Sequence, residues 1–185
     1  MREIVGSIEG EFGRYKALGE GALRQLTPEQ WAEPAAGGNS IATIVWHLAG
    51  NLASRFTDFL SSDGEKPWRD REAEFAPRAP SEPELFEKWN RGWDALGAAL
   101  RALEDADLNR SVTIRNQPLA VHAALHRSLA HVSYHVGQIV LLARAKKGAA
   151  WAFLSIPPGG SADYNRQPAF EKPDRHARKL RRDPK

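Results

Sequence analysis

Apolar residues in this chain recur every three to four positions in four separate stretches, and that period fixes helices as the elements the fold is built from. The first stripe is Val5, Ile8, Phe12, Tyr15 and Leu18, ending near Leu26. The second opens at Asn39 or Ser40, both good N-caps, and carries Ile41, Ile44, Val45, Leu48, Leu52, Phe56 and Phe59 to about Ser61. The third starts at the capping-box pattern Ser81-Glu82-Pro83-Glu84 and runs through Leu85, Trp89, Trp93, Leu96 and Leu100 to Leu103. The fourth spans about Ala120 to Lys146, with Gly148 as its stop.

The segments between them are as informative. Thr27-Pro28-Glu29-Gln30 reads as a fresh helix start, cut short by Pro34 and Gly37-Gly38. Glu65 to Pro80 is polar, contains three prolines and reads as a long connection, a length that is uncommon unless it is functional or needed to cross a bundle. Leu108 to Leu119 reads as a small β-hairpin or extended loop around an Asn116-containing turn. Trp151 to Gln167 reads as irregular. The expected fold is therefore all-α: a four-helix bundle with a long crossover connection and a small β-hairpin before the last helix. Residues 1–170 form the domain, and 171–185 a flexible tail.

Charge supports that division. The chain has a pI near 9.3, but Glu171 to Lys185 holds seven Lys/Arg against three Asp/Glu, of 26 and 23 in the whole chain. The body thus carries one more acid than base, and the basicity belongs to the tail. A solvated end is the expectation there, with a nucleic-acid arm as the weaker alternative, because no aromatic residues interleave with the basic ones as a stacking platform. No stretch approaches the ~20 apolar residues that cross a bilayer. Met1 to Gly10 lacks the pattern of a secretory signal, so the expected location is the cytoplasm. There is no cysteine, which removes disulfides, thiolate metal sites and thiol nucleophiles together; any metal must be held by imidazole, carboxylate or water.

Histidines supply the candidate chemistry. His131 and His135 stand four apart on the fourth helix, so both rings can reach one ion. His122 and His126 have the same spacing on the same helix, and the helical wheel does not choose between the pairs. For either pair alone a surface or edge histidine is the better reading. A third ligand changes that balance, and His47 is the remaining histidine outside the fourth helix and the tail. A His₃ site leaves an open position for water, as catalytic zinc sites do. No G-x-S-x-G elbow, P-loop or dinucleotide fingerprint is present, and Trp89 and Trp93, four apart, read as core.

His47, the string HVSYHVGQI from His131 to Ile139, the run GNLASRFTDFLSSDGEKPWRDREAEF from Gly50 to Phe75 and the ending WAFLSIPPGGSADYN from Trp151 to Asn165 resemble the DinB-like superfamily of bacterial four-helix-bundle proteins. That superfamily includes the YfiT-type proteins described as metal-dependent hydrolases, and the closer resemblance is to an uncharacterised subfamily within it. The likeness covers the chain to about Gln167. It implies one metal ligand from the second helix and an H-x-x-x-H pair from the fourth, which selects His47, His131 and His135 over His122 and His126.

Relatives include bacillithiol S-transferases and mycothiol-dependent maleylpyruvate isomerase. The resemblance therefore implies one divalent metal ion, zinc or nickel first and manganese after them. It implies a metal-dependent transferase or hydrolase acting on a small-molecule substrate, with a low-molecular-weight thiol as cosubstrate, and a homodimer. The rival expectation is a non-catalytic metal- or ligand-binding stress-response protein. Around the ion, Arg55, Trp68, Arg69 and Arg71 are expected to form an anionic-substrate wall, with ordinary surface roles as their competing reading. Asn51, Tyr134 and Gln138 are the candidates for orienting the ligands, with a backbone-satisfying role as the competing reading for Asn51 and packing as the stronger one for Tyr134.

Overall fold

The computed structural model describes residues 1–35 and 37–182. Among them are seven helices and one two-stranded antiparallel sheet: α1 (Glu3–Leu23), α2 (Pro28–Ala32), α3 (Ile41–Phe56), α4 (Glu82–Ala102), β1 (Ser111–Ile114), β2 (Gln117–Ala120), α5 (Val121–Lys147), α6 (Ser161–Arg166) and α7 (Pro173–Arg182). None of these helices is long and apolar enough to cross a membrane.

Local chemistry accounts for most helix ends. Thr27 and Gln30 cap each other at α2, where the Thr27 N–H donates to Gln30 Oε1 at 3.0 Å and the Gln30 N–H to Thr27 Oγ1 at 3.4 Å. Ser40 Oγ accepts from the Thr43 N–H at 3.1 Å to start α3. Glu84 accepts from the Ser81 N–H at 2.8 Å at the head of α4. Gly148, with φ 59°, ends α5 in a left-handed conformation that costs glycine nothing. The cap of α1 comes from far away: Asp105 accepts from the Glu3 and Val5 N–H groups at 2.8 and 2.9 Å, and these bonds hold its carboxyl below the usual range.

The four long helices pack in pairs, α1 with α4 and α5, and α3 with α4 and α5. Their shared core includes Val5, Phe12, Leu48, Leu52, Trp89, Leu96, Val132 and Ile139. Helix α3 is apolar almost all round, and Ile41 to Val45 and His47 to Gly50 are all buried, so it sits at the centre of the packing. Arg2 donates to the Leu100 and Leu103 carbonyls at one end of α4, while Gly19 lies under the Trp89 ring at the other, so α1 and α4 run antiparallel. Against α3 the sense is the reverse. Lys88 lies over Trp46 and Gly92 against Ala49, so α3 and α4 run the same way.

That direction explains the long connection. The chain leaves α3 at Phe56 and must travel back along it before α4 can begin. Gly64 O accepts from Arg55 and Ser54, Arg69 reaches Ser54, and Glu74 reaches His47, in order back down the helix. The hairpin is fastened to the start of this return. Its turn residues, Arg115 and Asn116, have φ of 55° and 60°, the two-residue turn that suits strand twist. Their N–H groups both donate to Asp63 at 2.8 Å.

Three expectations are corrected. Helix α3 stops at Phe56 rather than near Ser61, because Thr57 turns extended and Asp58 takes φ 50°; Phe59 stays buried and so prolongs the apolar period past the helix end. The stretch 151–167 contains a short helix, α6. The basic tail departs from a frayed end over residues 173–182, which form α7 on α1 with His176 and Ala177 buried; 183–185 lie outside the described residues.

A Cβ on Gly92 would stand 2.6 Å from Ala49 Cα and 2.8 Å from Ala49 O, backbone that cannot swing aside. In an open helix Gly→Ala stabilises by roughly 0.5–1 kcal/mol. Here Gly92→Ala should instead destabilise by about 1–3 kcal/mol, the usual cost of overpacking. Urea denaturation of the variant measures it, and a gain in stability would contradict the close approach of α3 and α4.

Candidate metal centre

Helices α3 and α5 bring His47, His131 and His135 together, with one ligand atom from each lying within 4.8 Å of the others. His131 Nε2 is 3.3 Å from His47 Nε2 and 3.1 Å from His135 Nε2. The helix register does this. Val132, Val136 and Ile139 are buried in the core, which turns the residues beside them, His131 and His135, along the edge of that face towards α3. His47 is buried and the other two are half-buried.

Two hydrogen bonds settle which nitrogens point inward. His47 Nδ1 lies 3.0 Å from Glu74 Oε2, and a carboxylate only accepts, so the ring donates from Nδ1, which in the neutral ring leaves Nε2 with a lone pair. His135 Nδ1 donates to Gln138 Oε1 at 2.8 Å, and again Nε2 is bare. His131 faces both of these nitrogens, and its Nδ1 is buried without a hydrogen-bond partner among the described residues. If His131 carries its proton on Nε2, the bare Nδ1 is orphaned. If it carries it on Nδ1, a buried donor is orphaned and three lone pairs converge with nothing positive between them. Either state is costly for the protein alone. A cation among the three Nε2 atoms relieves the convergence, so the donor set fits a metal ion, and these residues could hold one.

Glu74 is itself held. Arg69 Nε donates to Oε1 at 2.8 Å and Nη2 to Oε2 at 2.9 Å, with only 2% of the Arg69 side chain and 7% of Glu74 exposed. Burial pushes the Glu74 carboxyl up, but the bonds from His47 and Arg69 outweigh it and keep the group below its ordinary value. Gly50 makes room for this carboxylate: a Cβ there would come within 2.1 Å of Glu74 Oε1.

The remaining site candidates fall into place unevenly. Gln138 bonds His135 and also donates to the Tyr134 hydroxyl at 3.2 Å; Tyr134 is 63% exposed, with its ring 4.9 Å from that of His135. Asn51 is half-buried and makes no hydrogen bond to the three histidines. The expected anionic-substrate wall is not assembled. Arg69 is spent on Glu74, and Arg55 is buried against the Gly64 carbonyl and Glu65. Arg71 is exposed, paired with Glu72 at 3.1 Å and set over the Phe75 ring. Trp68, 56% exposed, borders a cleft of about 200 Å³ with Arg69, Glu74, Lys88 and Arg91, and none of the three histidines lines it. Of the other histidine pair, His122 donates Nδ1–H to the Leu108 carbonyl at 2.9 Å and His126 is exposed.

Glu74 was not singled out from sequence. It lies in a connection with no periodicity to read, and its one signal is the unusual length of that connection.

Burial pushes His131 down from the ordinary histidine value of 6.5 to about 4, helped by its neighbours His135, His47, Arg69 and Arg55. Burial lowers His135 as well, against the Gln138 bond, which favours the charged ring. Both rings are therefore neutral in the folded protein where the unfolded chain would take up protons. Their contribution to stability is present above pH 6.5 and is lost as pH falls towards about 4. Metal-free protein should lose denaturation midpoint across that window, and His131→Gln should flatten the loss. A profile equally steep in the variant would contradict the burial argument. Glu74 adds its own loss only lower, below the ordinary carboxyl range.

No curated protein and no solved structure matches the chain. One family model does, over residues 1–160, under the description "Protein of unknown function (DUF1572)". That match takes in α1 to α5, the return connection with Glu74 and all three clustered histidines. The chain belongs to the DUF1572 family.

Proposed function

We propose that His47, His131 and His135 hold one divalent metal ion, and that the protein is a metal-dependent transferase or hydrolase acting on a small molecule with a low-molecular-weight thiol as cosubstrate. The observation that carries this reading is the convergence of three Nε2 atoms, two of them turned inward by the bonds their Nδ1 atoms make. Zinc and nickel suit an all-imidazole set best and manganese less well. Membership of the DinB-like superfamily and a four-helix-bundle architecture belong to the same reading, supported by the pairwise packing of α1, α3, α4 and α5. So does a homodimer, for which the support is the outer face of α5, where Tyr134 and Leu141, seven residues apart, are 63% and 68% exposed.

The chain's own residues do three things at this centre. Glu74 and Gln138 hold protons on the outward nitrogens of His47 and His135, so that neither ring can rotate or change tautomer without losing a bond, buried for His47 and part-buried for His135. Arg69 keeps Glu74 ionised and in place. Burial of His131 and His135 weakens proton competition for the ligand nitrogens. With three protein ligands among the described residues, a divalent ion held there would supply Lewis acidity and would lower the pKa of a water or thiol bound to it.

Metal content decides the ligand assignment. His47→Ala, His131→Ala and His135→Ala should each abolish stoichiometric binding, while His122→Ala and His126→Ala leave it intact. Full metal in His47→Ala would sink the assignment. Glu74→Gln should keep a bond to His47 but lose its charge, and metal affinity should fall about 10–100-fold. Thiol-dependent turnover by the metal-loaded protein, absent in the three histidine variants, tests the catalytic half. Full metal loading with no turnover would overturn it in favour of a binding protein.

A further inference from the structure

Away from the clustered histidines, α1, the segment 151–157 and α7 border a partly open cavity of about 870 Å³. That is within the ~300–1,000 Å³ typical of small-molecule sites. Trp151, Leu154, Phe170 and Leu180 supply apolar wall, and Arg24, Lys179 and Arg181 stand around it. None of these three cations has a carboxylate partner among the described residues; Arg24 lies over the Phe86 ring at 4.6 Å and Lys179 over Phe170 at 5.0 Å. The acid in the lining, Glu20, already accepts from Lys16 and from Trp89 Nε1. The lining is thus apolar and net positive.

Its walls are fixed by bonds of their own. Gln25, just past the end of α1, clasps Ala152 from both sides, accepting from its N–H at 2.8 Å and donating to its carbonyl at 3.0 Å. His176 on α7 donates from Nε2 to the Leu154 carbonyl at 2.9 Å, and its ring stacks on Phe170 at 4.2 Å. The Tyr164 hydroxyl accepts from the Ala169 and Phe170 N–H groups and so pins the approach to α7. A cavity whose walls are tied independently of any occupant loses little entropy when filled. The family match ends at residue 160, so Phe170, Lys179, Leu180 and Arg181 are an addition beyond the matched region that closes one side of the cavity.

We propose that this cavity binds an organic anion with a long apolar body, a carboxylate of the fatty-acid type. The chain of such a ligand lies against Trp151, Leu154, Phe170 and Leu180, and its headgroup meets Arg24, Lys179 and Arg181. The site stands apart from the metal centre, and neither assignment depends on the other.

Calorimetric titration of the full chain with dodecanoate tests it, with acetate as the charge without the tail. Dodecanoate should bind saturably at one per chain, and acetate should not bind. The double variant K179E/R181E changes two exposed side chains, so its melting temperature should be unaltered while dodecanoate affinity drops at least about tenfold. Arg127→Glu, an exposed arginine on α5, should leave binding unchanged. Non-saturable or multiple binding by the wild type, equal affinity in K179E/R181E, or equal loss in Arg127→Glu would each overturn the proposal.

Discussion

A buried ionic chain, Arg69 to Glu74 to His47, is the interaction on which the rest of this structure leans. It joins the return connection to the middle of α3, with 2% of the Arg69 side chain, 7% of Glu74 and 9% of His47 exposed. Buried pairs of this kind are poor stabilisers against an apolar replacement, yet removing one partner typically costs about 3–5 kcal/mol because the other charge is left without compensation. Such a chain is best understood as a device that fixes geometry. It holds one proton on His47 Nδ1 and turns Nε2 towards α5. The neutrality of the neighbouring rings then follows from burial, and their convergence follows from the register of α5.

Packing has been arranged around that chain. Because α3 and α4 run the same way, the connection between them lies along α3, and this places residues 64, 69 and 74 beside the helix in reverse order. Two glycines permit the fit. Gly92 lets the α4 backbone touch that of α3 at Ala49, and Gly50 leaves the space that the Glu74 carboxylate fills. At its far end the connection is fastened by Asp63 to the hairpin turn, and the hairpin leads directly into α5, which carries the other two histidines. Both sides of the centre are therefore positioned by one continuous run of structure from Phe56 to His135.

What was legible in the sequence was local or periodic. The Thr27–Gln30 box, the Ser40 cap, the Gly148 stop and the hairpin turn at Asn116 depend on neighbours in the chain, and the structure has each of them. The core stripes of α3 and α4 follow from spacing alone. The centre was only half legible. Periodicity left two histidine pairs on α5 equal, and they separate in space because His122 is bonded to Leu108 O and His126 faces solvent, while His131 and His135 face His47. Arg69 reads from sequence as either a substrate-wall or a surface cation, because nothing there hints at a carboxylate five residues on that is buried with it. Helix α7 was hidden for a related reason: Pro173 to Arg182 is so rich in charge that the small buried patch at His176 and Ala177 does not stand out.

The central claim is that three Nε2 atoms meet, and that those of His47 and His135 are bare because Glu74 and Gln138 occupy the opposite nitrogens of the two rings. Long-range ¹H–¹⁵N correlation spectra of the histidine side chains, recorded without metal and after one equivalent of zinc, test it most directly. The account predicts the Nδ1–H tautomer for His47 and His135 in the metal-free protein, and a zinc-induced shift confined to the Nε2 atoms of His47, His131 and His135. An Nε2–H tautomer at His47, or shifts that appear instead at His122 and His126, would contradict it.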